Sequence, residues 1–297
     1  MTVAQTGPID RYAVVGHPVE HSLSPRIHAL FARQTHQFLV YERLDCPPDG
    51  FLAGVRAFAA NEGGHAQARW NTRGCNVTVP FKFEAYACAP RHSARAELAQ
   101  AANTLRFDDE ASGGWWADNT DGAGLARDIE EHCGVALHGA RVLLVGAGGA
   151  AAGVLGPLLE RGPRELVIVN RTRPKAEPLL ARHVALARAH GATLRLAPLE
   201  RPGERYDVVI NATAASLGGQ ALALPQSACR PGGLAVDLMY GPAAQPFMAW
   251  ATAAGAHAID GLGMLVEQAA ESFFLWRNVR PDTAPVLAAL RDYLRHR

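Results

Sequence analysis

The segment that most constrains the fold is "VLLVGAGGAAAGVLGPLL", residues 142 to 159, in which an apolar run meets a cluster of glycines. The apolar run predicts a strand that is buried on both faces, as in parallel sheets. Gly146-x-Gly148-x-x-Ala151 then predicts a tight turn into a helix, with room for a pyrophosphate above Gly148 and close packing at Ala151. A purely structural glycine turn is the alternative. The position between a strand and a helix favours a dinucleotide-binding βαβ unit.

The next strand, "ELVIVNRT", indicates which dinucleotide is bound. NAD-binding units usually end this strand with an acidic residue, which binds the ribose hydroxyls. Here the strand ends in Asn170, Arg171 and Thr172, and Lys175 follows. A guanidinium can pair with a 2′-phosphate, and no carboxylate is present to repel it. The pattern predicts NADP, with a solvated basic loop as the alternative.

Strands and helices alternate along the rest of the chain. Short apolar runs such as "RYAVVG" and "YDVVINAT" predict strands, and "SPRIHALFARQ" predicts a helix with Ser24 as N-cap and Pro25 as its first residue. "NTLRFDD" and "GGWWA" predict a hairpin, and two helical stretches end the chain. The alternation is typical of an α/β fold with parallel sheets, and 297 residues suit two domains.

Composition and charge exclude several functional classes. Hydrophobic residues make up 48% of the chain and the net charge is +1, which favours a globular protein without a nucleic-acid surface. Glycines and a proline interrupt the longest apolar run, so no membrane span is expected. The start "MTVAQTGPIDRY" lacks the pattern of a signal peptide, and five scattered cysteines read as reduced thiols of a cytoplasmic protein. The sequence has no H-E-x-x-H, so no metal site is predicted.

Four further stretches, "SLSP", "NVTVPFK", "AANT" and "DNTDG", carry hydrogen-bonding side chains at predicted element ends. Each has a structural explanation by itself, as a cap, a turn or a complement to a helix dipole. Together they offer several neutral groups, one lysine and one aspartate, which suits a polyhydroxylated small molecule. The candidate residues are Ser22, Ser24, Thr78, Lys82 and Asn103, together with the two aspartates that "DNTDG" places at the start of a helix, Asp118 and Asp121.

The order of these motifs resembles the shikimate dehydrogenase family, enzymes that reduce 3-dehydroshikimate with NADPH in aromatic amino-acid biosynthesis. The resemblance covers nearly the whole chain, and several of its motifs are specific to that family. In order they are "HSLSP", "NVTVPFK", "AANT", "DNTDG", "GAGGAA", "NRT", "INAT" and "DGLGMLVEQAA".

The resemblance implies a role for each matching residue, with Lys82 and Asp118 as the catalytic pair. Leu238, Tyr240 and Gly261 would lie on the nicotinamide side. The implied substrate contacts are Ser22, Ser24, Thr78, Asn103, Asp118, Tyr240 and Gln268. The implied cofactor contacts are Gly146, Ala147, Gly148, Gly149, Ala150, Asn170, Arg171, Thr172, Lys175, Leu238 and Gly261. The chain departs from the common family pattern at Leu23, Ala151, Lys175 and Leu238, and none of these departures affects the catalytic pair.

The resemblance also implies an architecture and a chemistry. Residues 1–117 and 262–297 would form the substrate-binding domain, residues 118–261 the NADP-binding Rossmann domain, and a cleft would lie between them. Reduction of a ketone leaves an alkoxide that must gain a proton, which a partly buried lysine at the end of a rigid strand can supply. We expect a monomer or homodimer whose partners are small molecules.

Three alternatives stay open on the sequence. A related dehydrogenase could accept quinate, perhaps with NAD, although Arg171 argues against that cofactor. A non-catalytic NADPH-binding sensor could share the fold, although such a protein would most readily have lost Lys82 or Asp118. A methylene-folate or glutamate-type dehydrogenase could share the two-domain plan, but "SLSP" and "DNTDG" would then have no explanation.

Overall fold

A computed structural model describes residues 9–61, 70–213 and 224–296, so the start of the chain lies outside the described residues. The chain divides into two compact units, Met1–Thr120 with Ala269–Val286, and Asp121–Gln268 with Leu287–Arg297. The division into functional domains at residues 117 and 262 stays a prediction. The compact units differ from it in assigning Gln268 and the last eleven residues to the second unit.

The first unit is built on a six-stranded sheet in the order β2-β1-β3-β5-β6-β4. Its strands are β1 (Ile9–Gly16), β2 (Leu39–Asp45), β3 (Trp70–Val77), β4 (Arg91–His92), β5 (Thr104–Arg106) and β6 (Trp116–Asp118). β1 pairs in parallel with β2 and β3, but β5 pairs antiparallel with β3 and β6. The predicted hairpin is therefore present as β5 and β6. The predicted parallel pairing holds for β1 with β2 and β3, whereas β5 runs antiparallel to both of its neighbours, because a hairpin joins β5 and β6 in opposite directions.

Among the described residues, four α-helices belong wholly to the first unit. They are α1 (Ser24–Gln34), α2 (Phe51–Ala59), α3 (Lys82–Cys88) and α4 (Ala94–Ala99). Ile27 and Phe31, one turn apart on α1, are fully buried. The prediction of Ser24 as the N-cap of α1 is wrong by one position, because Ser24 is already helical and Leu23 is the N-cap. The side chain of Ser22 takes over the capping contact, since its Oγ accepts from the Ser24 N–H at 3.3 Å.

The second unit contains a six-stranded sheet in the order β12-β11-β10-β7-β8-β9. Its strands are β7 (Arg141–Val145), β8 (Glu165–Val169), β9 (Thr193–Ala197), β10 (Tyr206–Asn211), β11 (Cys229–Asp237) and β12 (His257–Ile259). All five strand pairs are parallel, so the prediction of a parallel sheet is confirmed here. The central strand β7 is fully buried from Val142 to Leu144, as its continuous apolar run predicts.

The remaining helices complete the second unit or are shared by both units. They are α5 (Asp121–Arg127), α6 (Gly149–Glu160), α7 (Arg173–Ala189), α8 (Gln245–Ala253), α9 (Leu262–Arg277) and α10 (Ala284–Arg295). α5 continues directly into a π-helix, Asp128–His132. Both α9 and α10 contribute residues to each of the two units. No helix within the described ranges combines the length and apolar character of a membrane span.

Candidate active site

Lys82 lies at the start of a helix, one turn beyond the strand in which its motif begins. The ladder of β3 ends at Val77, and the Thr78 carbonyl then accepts from the Phe81 N–H at 3.0 Å. The expectation that Lys82 stands at the strand end is therefore corrected, because this turn separates it from β3. Phe81 is fully buried and stacks on Phe51 with ring centroids 5.0 Å apart. This packing fixes the backbone of the half-buried Lys82.

Two consecutive amide groups tie the backbones of Lys82 and Asp118 to one short segment. The Ala102 N–H donates to the Lys82 carbonyl at 2.8 Å, and the Asn103 N–H donates to the Asp118 carbonyl at 3.0 Å. The Asn103 carbonyl in turn accepts from the Val77 N–H at 2.7 Å. The fold thus brings together, within the first unit, two residues that are far apart in sequence.

Asp118 is 1% exposed, and its carboxylate receives four donors. Arg95 donates from Nε to Oδ1 at 2.7 Å and from Nη2 to Oδ2 at 2.6 Å. The Ser93 hydroxyl and the Asn119 N–H also donate to Oδ1. Sequence reasoning missed Arg95 and Ser93. The available signal was weak, because Ser93 looks like an ordinary N-cap and its Oγ does accept from the Ala96 N–H of α4.

Arg95 is also bound to a second carboxylate, Glu271 of α9, at 3.1 Å. Burial by itself lowers the pKa of Arg95, but the hydrogen bonds and charges of Asp118 and Glu271 raise it above its ordinary value. Burial likewise raises the pKa of Glu271, but Arg280 and Arg95 bring it below its ordinary value. Both partners therefore stay charged across the physiological pH range.

Asn103 is held by a buried polar network and is 2% exposed. Its Oδ1 accepts from the Thr120 N–H at 2.8 Å and the Thr104 hydroxyl at 2.9 Å, and its Nδ2 donates to Thr120 Oγ1 at 2.9 Å. Ser272 of α9 joins this network through Asn76 Nδ2 at 2.9 Å. Such a network fixes the orientation of the Asn103 amide, because each buried polar group needs its partner.

The two predicted serines and Thr78 also lie in the first unit. Ser24 is buried, and the Ser22 hydroxyl donates to its Oγ at 3.2 Å. Thr78 is half-buried, and its methyl group lies close to Gly16. A Cβ at Gly16 would be 2.4 Å from Thr78 Cγ2, so only glycine fits there without moving Thr78.

In the second unit, the glycine turn has the geometry that a pyrophosphate needs. Gly146 has φ +116°, and a Cβ there would meet the Ala212 carbonyl oxygen at 3.0 Å. Gly148 is the exposed N-cap of α6, with no side-chain capping bond and nothing within 4 Å of its Cβ position. The first N–H groups of α6 have no partner within the helix, so the turn combines open space with anion donors. Ala147, Gly149 and Ala150 complete this turn.

The end of β8 presents exposed positive charge. Asn170 bends the chain there, since its Nδ2 donates to the Thr172 carbonyl at 2.7 Å. Arg171, Thr172 and Lys175 are exposed. The neighbouring Arg173 instead pairs along α7 with Glu177 at 3.3 Å. Arg171 and Lys175 therefore fit a phosphate group at the start of α7.

The predicted nicotinamide-side residues follow β11. The Leu238 N–H donates to the Asn211 carbonyl at 3.0 Å, and a Cβ at Gly261 would lie 2.5 Å from the Leu238 carbonyl oxygen. Asp237 fixes this corner, because its Oδ2 accepts from Asn211 Nδ2 at 2.9 Å. Burial raises the pKa of Asp237 to about 6. Tyr240, the N-cap of a short 3₁₀ turn, is half-buried.

Gln268 is the last residue of the second unit within α9 and is 8% exposed. Its Nε2 donates to the Leu265 carbonyl at 3.0 Å. Gly124 of α5 packs closely against it, since a Cβ there would lie 2.6 Å from the Gln268 nitrogen. The structure thus places Tyr240, Gln268 and the cofactor candidates in the second unit, and the other substrate candidates in the first.

One compositional signal for Lys82 was missed at the level of sequence. The chain contains 27 arginines but only two lysines, Lys82 and Lys175. Arginine does not lose its proton in proteins, whereas lysine can. A lysine at position 82, in a chain with 27 arginines and one other lysine, favours a role in proton exchange.

The chain matches three family models in succession. Residues 14–105 match the shikimate dehydrogenase substrate binding domain, residues 125–218 match shikimate/quinate 5-dehydrogenase, and residues 261–291 match the shikimate 5′-dehydrogenase C-terminal domain.

Individual relatives cover nearly the full chain. A shikimate dehydrogenase (NADP(+)) from Methylibium petroleiphilum is 64% identical over 95% of this chain and 94% of its own length. The crystal structure of an Ael1 enzyme from Pseudomonas putida has a TM-score of 0.81 and 46% identity, and covers 95% of this chain and 98% of that one. Shikimate 5-dehydrogenase from Thermus thermophilus, solved with NADP(H) and shikimate, has a TM-score of 0.76 and 32% identity, with 96% and 99% covered.

Proposed function

The chain belongs to the shikimate dehydrogenase family, and from that premise we propose how its residues catalyse the NADP-dependent interconversion of 3-dehydroshikimate and shikimate. It is an oxidoreductase, and its cofactor is NADP. The glycine turn before α6 and the exposed positive charge after β8 fit that cofactor, which supplies the hydride when bound.

The observation that carries the proposal is the pair of adjacent amides, Ala102 and Asn103, that anchor Lys82 and Asp118. In the reducing direction, Lys82 gives a proton to the ketone oxygen as the carbonyl carbon receives the hydride. In the oxidising direction, Lys82 takes the proton of the same hydroxyl group. A positioned acid or base of this kind contributes about a hundredfold to ten-thousandfold to the rate.

Asp118 has a different role, because its carboxylate is held by a guanidinium. An ionised carboxylate accepts hydrogen bonds and does not donate them. Asp118 therefore orients the Lys82 ammonium and accepts from a substrate hydroxyl. This division of roles leaves proton transfer to the lysine.

The other candidate residues bind the two ligands. The Ser22 and Ser24 hydroxyls bind the substrate carboxylate, while Thr78, Asn103, Tyr240 and Gln268 contact the ring and its hydroxyls. Residues 146–150 would hold the pyrophosphate of the cofactor, and Asn170, Arg171, Thr172 and Lys175 would hold its 2′-phosphate. Leu238 and Gly261 would flank the nicotinamide. We assign residues 1–117 and 262–297 to substrate binding and residues 118–261 to NADP binding.

We place the enzyme in the cytoplasm as a monomer or homodimer. All five cysteines are free thiols, which suits a reducing compartment. The ligands proposed above are small molecules. Gel filtration with light scattering will distinguish the two oligomeric states.

A spectrophotometric assay at 340 nm tests the function and the one alternative that a matching family model suggests, quinate oxidation. Shikimate and quinate are each supplied with NADP and with NAD. We expect the largest kcat/KM for shikimate with NADP. A larger kcat/KM for quinate, or for NAD, would contradict the proposed specificity.

The low lysine content allows a direct test of the proton role. In a Lys175→Arg variant, Lys82 is the only side-chain amine, and the positive charge at position 175 is kept. Acetylation removes the charge and the basicity of a lysine, so modification of Lys82 should abolish turnover. Shikimate should protect against it. Full activity with Lys82 acetylated, as mapped by mass spectrometry, would contradict the assignment.

A further inference from the structure

Tyr41 lies on the edge strand β2, but its hydroxyl group is bonded inside the first unit. It is 9% exposed and is the one buried residue of β2. β1 separates β2 from β3 in the sheet, and the Tyr41 hydroxyl nevertheless donates to Asn76 Oδ1 of β3 at 2.7 Å. This bond therefore adds a side-chain link between two strands that have no backbone pairing with each other.

The ring of Tyr41 stacks on the imidazole of His28, with ring centroids 4.1 Å apart and an angle of 6° between the planes. Burial lowers the pKa of His28 to about 3, although a hydrogen bond with Asn76 opposes this, so the stacked imidazole is neutral. Burial raises the pKa of Tyr41 well above its ordinary value, although hydrogen bonds with Ser24 and Asn76 oppose this. The Tyr41 hydroxyl therefore keeps its proton and stays a donor.

Two further hydrogen bonds lead from Asn76 to Asn103. Asn76 is 6% exposed, and its Nδ2 donates to Thr104 Oγ1 at 3.1 Å. The Thr104 hydroxyl in turn donates to Asn103 Oδ1 at 2.9 Å. Asn76 Nδ2 also donates to the Asn103 carbonyl at 3.1 Å and to Ser272 Oγ at 2.9 Å. The three side-chain bonds from Tyr41 to Asn103 thus run in one direction, and all of them lie within the first unit.

The Tyr41 hydroxyl determines which end of the Asn76 amide faces which partner. The oxygen and the NH₂ group of an amide are nearly alike in shape, so their hydrogen-bond partners set the orientation. If Oδ1 loses its donor, the amide can turn and present that oxygen to Thr104. A hydroxyl group has one hydrogen to donate, so Thr104 would then donate to Asn76 and not to Asn103. Removal of the hydroxyl at position 41 therefore changes the bonding of Asn103.

We infer that Tyr41 is a positioning residue for the proposed reaction: its hydroxyl fixes the Asn76 amide and, through Thr104, the orientation of the Asn103 amide. The inference rests on the proposed function, in which Asn103 contacts the ring and hydroxyls of the substrate. Tyr41 acts through these neighbours and has no proposed contact with either ligand. Loss of its hydroxyl should therefore weaken substrate binding and leave cofactor binding and proton transfer intact.

Tyr41→Phe is the test and Tyr12→Phe is its matched control, since each removes one buried tyrosine hydroxyl from the same core cluster. Tyr12 is 1% exposed and lies opposite Tyr41 in the pairing of β1 with β2. Its hydroxyl hydrogen-bonds with Arg277, which has no proposed role in binding or catalysis. kcat and KM for shikimate and for NADP are measured for both variants, with thermal unfolding as a folding check.

Thr104 provides a second pair of variants. Thr104→Val removes the hydroxyl that joins Asn76 to Asn103 and keeps the shape of the side chain, whereas Thr104→Ser keeps the hydroxyl. Asn103→Ala, alone and combined with Tyr41→Phe, tests whether the effect of Tyr41 passes through Asn103. Two residues that act through one contact are not additive, so a positioning residue loses its effect when its target is absent.

We expect Tyr41→Phe and Thr104→Val each to raise KM for shikimate about twofold to tenfold, the usual net effect of losing one buried hydrogen bond. kcat and KM for NADP should stay at their wild-type values. Tyr12→Phe and Thr104→Ser should keep the wild-type KM for shikimate, even where Tm falls. In the Asn103→Ala background, Tyr41→Phe should raise this KM by a smaller factor than it does in the wild type.

The inference is overturned if Tyr41→Phe has the same KM for shikimate as Tyr12→Phe, or if its effect is equally large with and without the Asn103 side chain. If Tyr41→Phe does not fold, Thr104→Val and Thr104→Ser carry the test, and equal KM values for shikimate in those two would overturn the inference.

Failure of the proposed function gives a different result. A wild-type enzyme that is inactive with shikimate and NADP counts against that function. A wild-type KM for shikimate in Asn103→Ala would overturn the inference together with the proposed contact of Asn103. A raised KM in Asn103→Ala with an unaffected Tyr41→Phe variant counts against Tyr41 alone.

Discussion

At the residue scale, Lys82 and Asp118 illustrate how neighbours assign roles to two ionisable side chains. Lys82 starts α3 and is half-buried, whereas Asp118 is almost fully buried and receives four donors. In the proposed mechanism, the carboxylate orients the ammonium and the lysine exchanges the proton. The two proposed roles therefore depend on each other.

Substitution of the pair should reveal this dependence. Lys82→Ala should reduce kcat by about a hundredfold to ten-thousandfold and leave NADP binding intact, because it removes positioned acid–base catalysis. Asp118→Asn should also slow turnover and raise KM for shikimate. The double variant should be little slower than the slower single variant, since residues that act as a unit lose their effect together. Strictly multiplicative losses in kcat would show that the two act independently.

At the element scale, helix starts and strand ends carry most of the candidate site. α6 starts at the glycine turn, α7 starts beside Arg171, and α3 starts at Lys82. Strand ends in a parallel sheet bring such starts to one edge, and helix starts offer N–H donors to anions. Most of the proposed ligand-contacting residues accordingly lie at these junctions and not in the interiors of the elements.

The junction of β8 and α7 gives a prediction about cofactor choice. Arg171→Asp should weaken NADP much more than NAD, because it removes a phosphate partner and adds a repelling charge. Glu177→Gln, which changes one charge on α7, is the control. It should leave the preference for NADP over NAD unchanged. The measurement is the ratio of kcat/KM for NADP to that for NAD. An unchanged ratio in Arg171→Asp would contradict the assigned phosphate site.

The π-helix after α5 gives a prediction about stability. Asp128 is 1% exposed, and burial raises its pKa to about 6, although the charges of His132 and Arg291 oppose this. The folded state therefore prefers the protonated carboxyl. This contribution to the free energy of unfolding is complete below about pH 4 and is lost as pH rises through 6. Raising the pKa of the Asp128 carboxyl by about two corresponds to about 3 kcal/mol in the free energy of unfolding.

Asp128→Asn should remove that pH dependence. At about pH 8 we expect the variant to be more stable than the wild type by about 1 to 3 kcal/mol, and near pH 4 we expect no gain. Urea unfolding at both pH values measures the difference. Asp49→Asn makes the same chemical change at an exposed position and should show no such difference. A gain of equal size at both pH values would refute the burial argument.

At the scale of the whole molecule, the two compact units contain different sets of the proposed ligand-binding residues. Most candidate substrate residues lie in the first unit, and all candidate cofactor residues lie in the second. The two lysines are divided in the same way, with Lys82 in the first unit and Lys175 in the second. Binding of each ligand can therefore be tested separately on the intact chain.

Ligand-linked stability provides that test. A ligand that binds only the folded state at about 100 times its Kd adds about 2.7 kcal/mol to the free energy of unfolding. NADP and shikimate should each raise Tm of the wild type. The Ser22→Ala, Ser24→Ala double variant should lose most of the shikimate shift and keep the NADP shift. Loss of both shifts would indicate misfolding, and retention of both would mean that these serines do not bind the substrate.

Sequence alone determined those features that depend on neighbouring residues. The βαβ unit follows from the apolar run of β7 and the glycine turn, because backbone conformation and strand burial are local properties. The prediction of NADP, which the relatives confirm, follows from the absence of an acid after β8. The family follows from the ordered motifs. The ligand-contacting residues that these motifs name stay a prediction.

Tertiary structure alone decided the features that depend on contacts between distant segments. The antiparallel pairing of β5 with β3 depends on strand order, which no local pattern encodes. The contacts of Arg95 with Asp118 and with Glu271 join positions 23 and 176 residues apart. A surface arginine and an arginine paired with a buried carboxylate have the same sequence signature. The two differ because burial removes the screening of charge by solvent. A carboxylate that becomes buried on folding therefore needs a charged partner next to it in the folded structure.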